Sequence, residues 1–343
     1  MIIQLYRMKK IVVLFTCLFV FKSILFSQET VKVNWVRNNR GGYSFTATNY
    51  SKINYVIHLY FTSIDNLTSS IRLPYDGDVK PGTNYLFELT PDNPLLATDF
   101  NYKFNNFRGY LKPLIDTNYP YLLPVNNGRI VTAKLTQTAD HIEDIRYIMD
   151  SLSRMKIKAR IKTFETPQIS YYLDSSVRKL VSFELNYGDT VYAARKGRIY
   201  SVTIPDKLVS ENDSFYARGA NLEIYQKDCS FAMYKGIHNA FVEVGQDVQA
   251  GQPIALAGVL TNTSKATLTF SVSYYDDRNR FKIDSGTIPF SFNYTFINPM
   301  FCTKEGLISL LEDGKTYTAL HPETVITKEM SKREFKQWKK KRP

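Results

Sequence analysis

Sulfur and imidazole donors are scarce in this 343-residue chain, which has three cysteines and four histidines in all. Past an N-terminal leader only Cys229 and Cys302 remain. Two cysteines suffice for one pair in an oxidising envelope but not for a disulfide framework. Net charge is also small over most of the chain, although the whole carries +12. Arg7, Lys9, Lys10 and Lys22 precede residue 28 without an acid, so the rest of the chain carries +8. Residues 328–343 hold eight Lys or Arg against Glu329 and Glu334, leaving only +2 between leader and tail. The basicity is therefore a tail, with anionic membrane or wall polymers as its expected contacts. Each basic residue near a charged surface contributes about 1 kcal/mol. No nucleic acid partner is expected for a secreted chain.

Secretion is read from the leader. Met8-Lys9-Lys10, the apolar run Ile11 to Phe21, Lys22 and the small residue Ser27 form a basic, an apolar and a cleavage region in order. A cleaved signal peptide over 1–27 places the mature protein in the periplasm or outside the cell. Next, aromatic and β-branched runs at 31–35, 42–49, 55–62 and 84–89 alternate with Asn, Gly, Asp and Pro clusters. That texture predicts an immunoglobulin-like β-sandwich over 28–120.

A second domain is expected over 121–300, and a C-terminal extension with the basic tail over 301–343. Within the domain, Asp140 and Glu143 form a capping box, and Ile142, Ile145, Met149 and Leu152 follow at helical spacing. A helical insertion over about 141–154 is predicted. Residues 188–202 read as a hairpin turning at Lys196-Gly197, and 222–226 pairs with 231–234 across Lys227-Asp228-Cys229-Ser230. Gly245, Gly251 and Gly258 then punctuate short strands where the chain folds back. The fold class expected is mainly β.

Residues 177–295 resemble the lysostaphin-type (LytM-type) peptidoglycan endopeptidases, the twenty-third family of metallopeptidases, without a gap from Leu222 to Val272. The resemblance implies a LytM-type β-sheet core. It also implies where zinc chemistry belongs: an upstream His and Asp, a His after "Tyr-Ala", and a closing His-Leu-His. Those positions fall here on Arg178, Ser182, Gly236 (in Tyr234-Lys235-Gly236-Ile237) and the pair Thr267 and Thr269 around Leu268. All five are replaced. Catalytic zinc needs about three imidazole, thiolate or carboxylate ligands and an open position for water. Without the metal nothing brings the pKa of an attacking water from near 16 to about 7.

No cofactor is therefore expected. Thr267 and Thr269 keep the strand alternation with Leu268 and Phe270, so the frame persists without its reagents. The other histidines offer little. His238 neighbours Asn239 in a loop-like stretch, His58 alternates on a strand, His141 opens the predicted helix and His321 precedes Pro322. A biotinyl or lipoyl carrier is the weaker resemblance of 244–255, because no Lys stands in a tight exposed hairpin between two half-motifs.

Two functions follow from the resemblance. In the preferred one, a degenerate groove of Arg178, Ser182, Tyr234, Gly236, Thr267 and Thr269 binds a cell-wall hydrolase or peptidoglycan without catalysis. In the alternative, the chain is a zinc endopeptidase with a non-standard ligand set, for example His238, His141 and a carboxylate.

Overall fold

A computed structural model describes residues 30–135, 180–204, 220–258, 265–276 and 294–340. The signal peptide and the helical insertion expected over 141–154 lie outside the described residues, as does Arg178. What is described is mainly β, as expected.

The first seven strands are β1 (Val31–Arg37), β2 (Tyr43–Asn49), β3 (Tyr55–Asp65), β4 (Leu67–Ser69), β5 (Tyr75–Val79), β6 (Gly82–Pro91) and β7 (Asp99–Arg108). They form two antiparallel sheets, β1-β2-β6-β4 and β5-β3-β7. Alternation decides their inner faces. Tyr43, Phe45 and Ala47 of β2 are buried while Ser44, Thr46 and Thr48 are half-buried. Phe45 stacks on Phe87 with ring centroids 4.8 Å apart, and Ile57 and Leu59 meet them from the other sheet.

The remaining strands are β8 (Pro120–Leu122), β9 (Ile130–Leu135), β10 (Val181–Asn186), β11 (Thr190–Tyr192), β12 (Gly197–Thr203), β13 (Asn221–Tyr225), β14 (Phe231–Lys235), β15 (Ile237–Ala240), β16 (Asp247–Val248), β17 (Pro253–Ala257), β18 (Lys265–Tyr275), β19 (Tyr294–Ile297), β20 (Met300–Thr303), β21 (Gly306–Ile308) and β22 (Thr316–Thr318). Helices α1 (Glu323–Ile326) and α2 (Lys332–Lys340) close the chain. The central sheet runs β16-β12-β13-β14-β18-β10-β9-β22, with β19 beside β18. Its inner face carries Phe183, Leu222, Tyr234, Leu268 and Phe270, all fully buried. The small sheet β11-β17-β15 covers that face through Val191, Ile254 and Ala255.

Two expectations are corrected. The pairing of 222–226 with 231–234 is observed as β13 and β14, but residues 188–202 form no hairpin. β11 pairs with β17 and β12 with β13, so the two runs belong to different sheets. The reason is the chain between them. Ala193 and Ala194 are fully buried, and Arg195, 2% exposed, turns inward to Asp228 (2.8 Å) and Glu329 (2.7 Å), with its guanidinium 3.7 Å from the Tyr119 ring. Nor does the fold break at residue 300. β20 pairs with β8 in parallel and β22 extends the central sheet beside β9, so much of the expected extension belongs to the second domain's core.

The sandwich leans on one end of the central sheet's outer face. Phe231, Tyr200 and Tyr225 pack into the sandwich core, and the Tyr55 and Tyr200 hydroxyls lie 2.9 Å apart. Arg108, the last residue of β7, pairs with Glu223 and sits 4.7 Å from the Phe231 ring. Gly109 follows at φ 123°, where a Cβ would stand 2.8 Å from Cβ of Tyr275. Only glycine passes that corner without strain.

Candidate functional site

The other end of that outer face holds the positions to which the family resemblance assigns metal chemistry. Strand period does the sorting. On β18, Ala266, Leu268, Phe270 and Val272 are fully buried on the inner face, which turns Thr267 and Thr269 outward, where both are half-buried. Across the ladder Thr269 stands opposite Ser182 of β10, and Thr267 opposite Glu184. Ser182 and Thr269 hydroxyls bond to each other at 3.0 Å. In the same register Ser182 faces Lys134 of β9, and Thr269 faces Lys235 of β14.

A row Lys134, Ser182, Thr269, Lys235 thus crosses four neighbouring strands, with Glu184 ion-paired to Lys134 at one end. Hydrogen bonding to Glu184 raises the Lys134 pKa above its ordinary value. Lys235 is half-buried and takes no hydrogen-bond or ion-pair partner among the described residues.

Of the residues read as a groove, Ser182, Thr267 and Thr269 are brought together. Tyr234 is not. It stands opposite Phe270 on the inner face, fully buried, and its hydroxyl accepts the Ala194 backbone N–H at 2.8 Å. Burial pushes that hydroxyl's pKa up, and nothing on the outer face meets it. Gly236 follows β14 at φ 89°, left-handed backbone that an L side chain rarely adopts. Sequence reasoning passed over Lys235 although it lies inside the motif. Period-two alternation carried the signal, since the neighbour of an inward Tyr must point outward with Thr269.

These groups do not fit zinc. At the Asp position and the last position of the Thr-Leu-Thr motif, two neutral hydroxyls bond to each other, and neutral alcohols are poor ligands for this ion. A lysine at the next position in the row adds like charge. Of the alternative ligands, His141 lies outside the described residues and His238 packs 5.0 Å from the Tyr187 ring. Among the described residues no three His, Cys, Asp or Glu side chains converge as a metal site would require. His321 is remote: it sits near the Tyr192 ring, its Nε2–H donates to the Leu123 carbonyl at 3.1 Å, and burial lowers its pKa.

Residues 176–281 match the family model "Peptidase family M23". No curated protein matches the chain. Among solved structures, the catalytic domain of the antimicrobial peptidase lysostaphin from Staphylococcus simulans is 25% identical over 27% of this chain and 63% of that one, with a TM-score of 0.23. The chain thus spans less than two thirds of that domain. Helicobacter pylori Csd3 is 14% identical over 73% of this chain and 48% of that one, TM-score 0.26. A zinc-containing peptidase from Vibrio cholerae is 16% identical over 71% and 75%, TM-score 0.23. Residues 176–281, less than a third of the chain, are thus similar to peptidase family M23, and the positions to which that resemblance assigns metal ligands carry other residues here.

Proposed function

We propose that the protein is a secreted, non-catalytic member of the cell-wall peptidase group that binds peptidoglycan or a cell-wall hydrolase through the outer face of the central sheet, and that regulation of such hydrolases is its role. The observation that carries this reading is the Ser182–Thr269 hydroxyl pair: the sheet keeps its register where ligands belong while the donors bond to each other. A frame preserved without its reagents supports a binding task, because strand alternation at Thr267 and Thr269 serves shape and not chemistry.

In this reading the contact groups are Ser182, Thr267, Thr269 and Lys235, with Arg178 of the original groove beside them in sequence. Hydroxyls and an ammonium suit a peptide rich in carbonyl and carboxylate groups, which describes peptidoglycan stems. The immunoglobulin-like assignment of the sandwich belongs to the same proposal, supported by its order β1-β2-β6-β4 facing β5-β3-β7. So do the cleaved leader and the envelope location, supported by the sequence of residues 8–28.

The test is co-sedimentation with purified peptidoglycan sacculi and with cell-wall amidases. Wild-type protein is expected to bind one of the two and to release no soluble fragments from sacculi, with or without added zinc. The double variant Thr267→Glu, Thr269→Glu is expected to lose binding. Fragment release that a chelator stops would overturn the reading.

A further inference from the structure

Helix α2 sorts its side chains by charge around its axis. Glu334, Phe335 and Trp338 are half-buried and fall within about 100° of one another. Glu334 ties that side to the domain through Lys196 at 2.7 Å and Gln249 at 2.8 Å. Lys332, Arg333, Lys336, Lys339 and Lys340 are exposed and fall within about 120° on the opposite side. None of the five has an ion-pair partner among the described residues. The helix thus presents a cationic stripe, held outward by the anchored side.

Local energetics oppose that arrangement. Lys332, Lys336 and Lys340 follow one another at i, i+4, where like charges repel and weaken a helix. Lys332 and Arg333 stand in the first turn, at the positive end of the helix dipole, which favours acids. The dipole accounts for Lys339 and Lys340 in the last turn but for none of the other three. A helix end kept only for solubility would intersperse the two signs. An anionic surface laid along the stripe removes both penalties at once.

We propose that α2 lies along an anionic lipid surface, with the stripe against the headgroup phosphates. The contact is separate from the outer face of the central sheet. Two details favour a bilayer over a linear polyanion. A chain of phosphates meets a single file of cations, whereas flexible lysine and arginine stems spread over about 120° all reach a plane. Phe335 borders the stripe, with the Lys339 ammonium 4.7 Å from its ring centroid, and stacks on Trp338 at 6.1 Å. Half-exposed aromatic rings beside cations suit the headgroup layer, where one side of the helix is apolar and the other wet.

Vesicle flotation tests this. Protein beginning at residue 28 keeps every described residue and removes the apolar run at 11–21, which could itself carry the chain onto lipid. It is expected to float with vesicles of equal parts phosphatidylglycerol and phosphatidylcholine, less so as salt rises, and not with phosphatidylcholine alone. Each charge removed is expected to weaken binding about fivefold, so the triple variant Lys332→Gln, Lys336→Gln, Lys340→Gln loses about a hundredfold. Its melting temperature is expected to match wild type, because none of the three makes a docking bond. The control triple Lys32→Gln, Lys52→Gln, Lys80→Gln makes the same change of charge at exposed residues of the sandwich and is expected to bind nearly as wild type. Absence of flotation with the anionic vesicles, equal flotation with neutral ones, an equal loss in the two triple variants, or binding to soluble sodium polyphosphate without any to vesicles overturns the proposal.

Discussion

Ser182 and Thr269, opposite each other on adjacent strands, bond through their hydroxyls at 3.0 Å. Neutral hydroxyls are poor ligands for zinc, and here one of the pair donates its hydrogen to the other's oxygen. The expected consequence is indifference to zinc. Protein equilibrated with zinc and then desalted is expected to hold far less than one ion per chain, and a chelator to leave its melting temperature unchanged. A tightly held equivalent whose removal lowers the melting temperature would contradict this, since a bound structural or catalytic metal stabilises the folded state.

Tyr234 separates core from groove. Its Phe variant keeps the ring against Phe270, centroids 5.0 Å apart, but removes the acceptor of the Ala194 N–H. A buried donor left without a partner costs about 1–3 kcal/mol. Urea denaturation is expected to show a loss in that range, while retention on sacculi or amidases stays as in wild type. A binding defect without a stability loss would return Tyr234 to the groove.

Glu334 fastens α2 to the domain. Hydrogen bonds from Lys196 at 2.7 and 2.9 Å, with further ones from the Ser331 backbone and Gln249, hold its carboxyl down to about 2 from an ordinary 4.5. A depressed folded pKa stabilises the docked helix fully above the ordinary value and loses that contribution as pH falls through about 2. Trp338 emission is expected to hold steady at neutral pH and to shift between about pH 4.5 and 2. In Glu334→Gln that titration is expected to vanish. An identical acid transition in the variant would assign the docking to other groups.

The sequence made the second domain readable because its alternation is clean. The β13–β14 pairing and the outward Thr267 and Thr269 follow from period two alone. Other features depended on contacts between residues far apart in the chain. The failed hairpin at 188–202 turns on Arg195 finding Asp228 and Glu329, 33 and 134 residues away. The motif around Tyr234 points to the groove, whereas its own alternation puts it inside. Ser331 and Glu334 spell a capping box that went unread amid the lysines, and the Glu334 carboxylate does accept the Ser331 backbone N–H at 2.7 Å.

Gly236 makes a histidine hard to place after β14. At φ 89° its backbone admits a histidine only at a cost of about 1–2 kcal/mol, before any zinc has been gained. A zinc site engineered on this face, with imidazoles and a carboxylate at the remaining positions, would therefore have to reshape the chain at Gly236 as well.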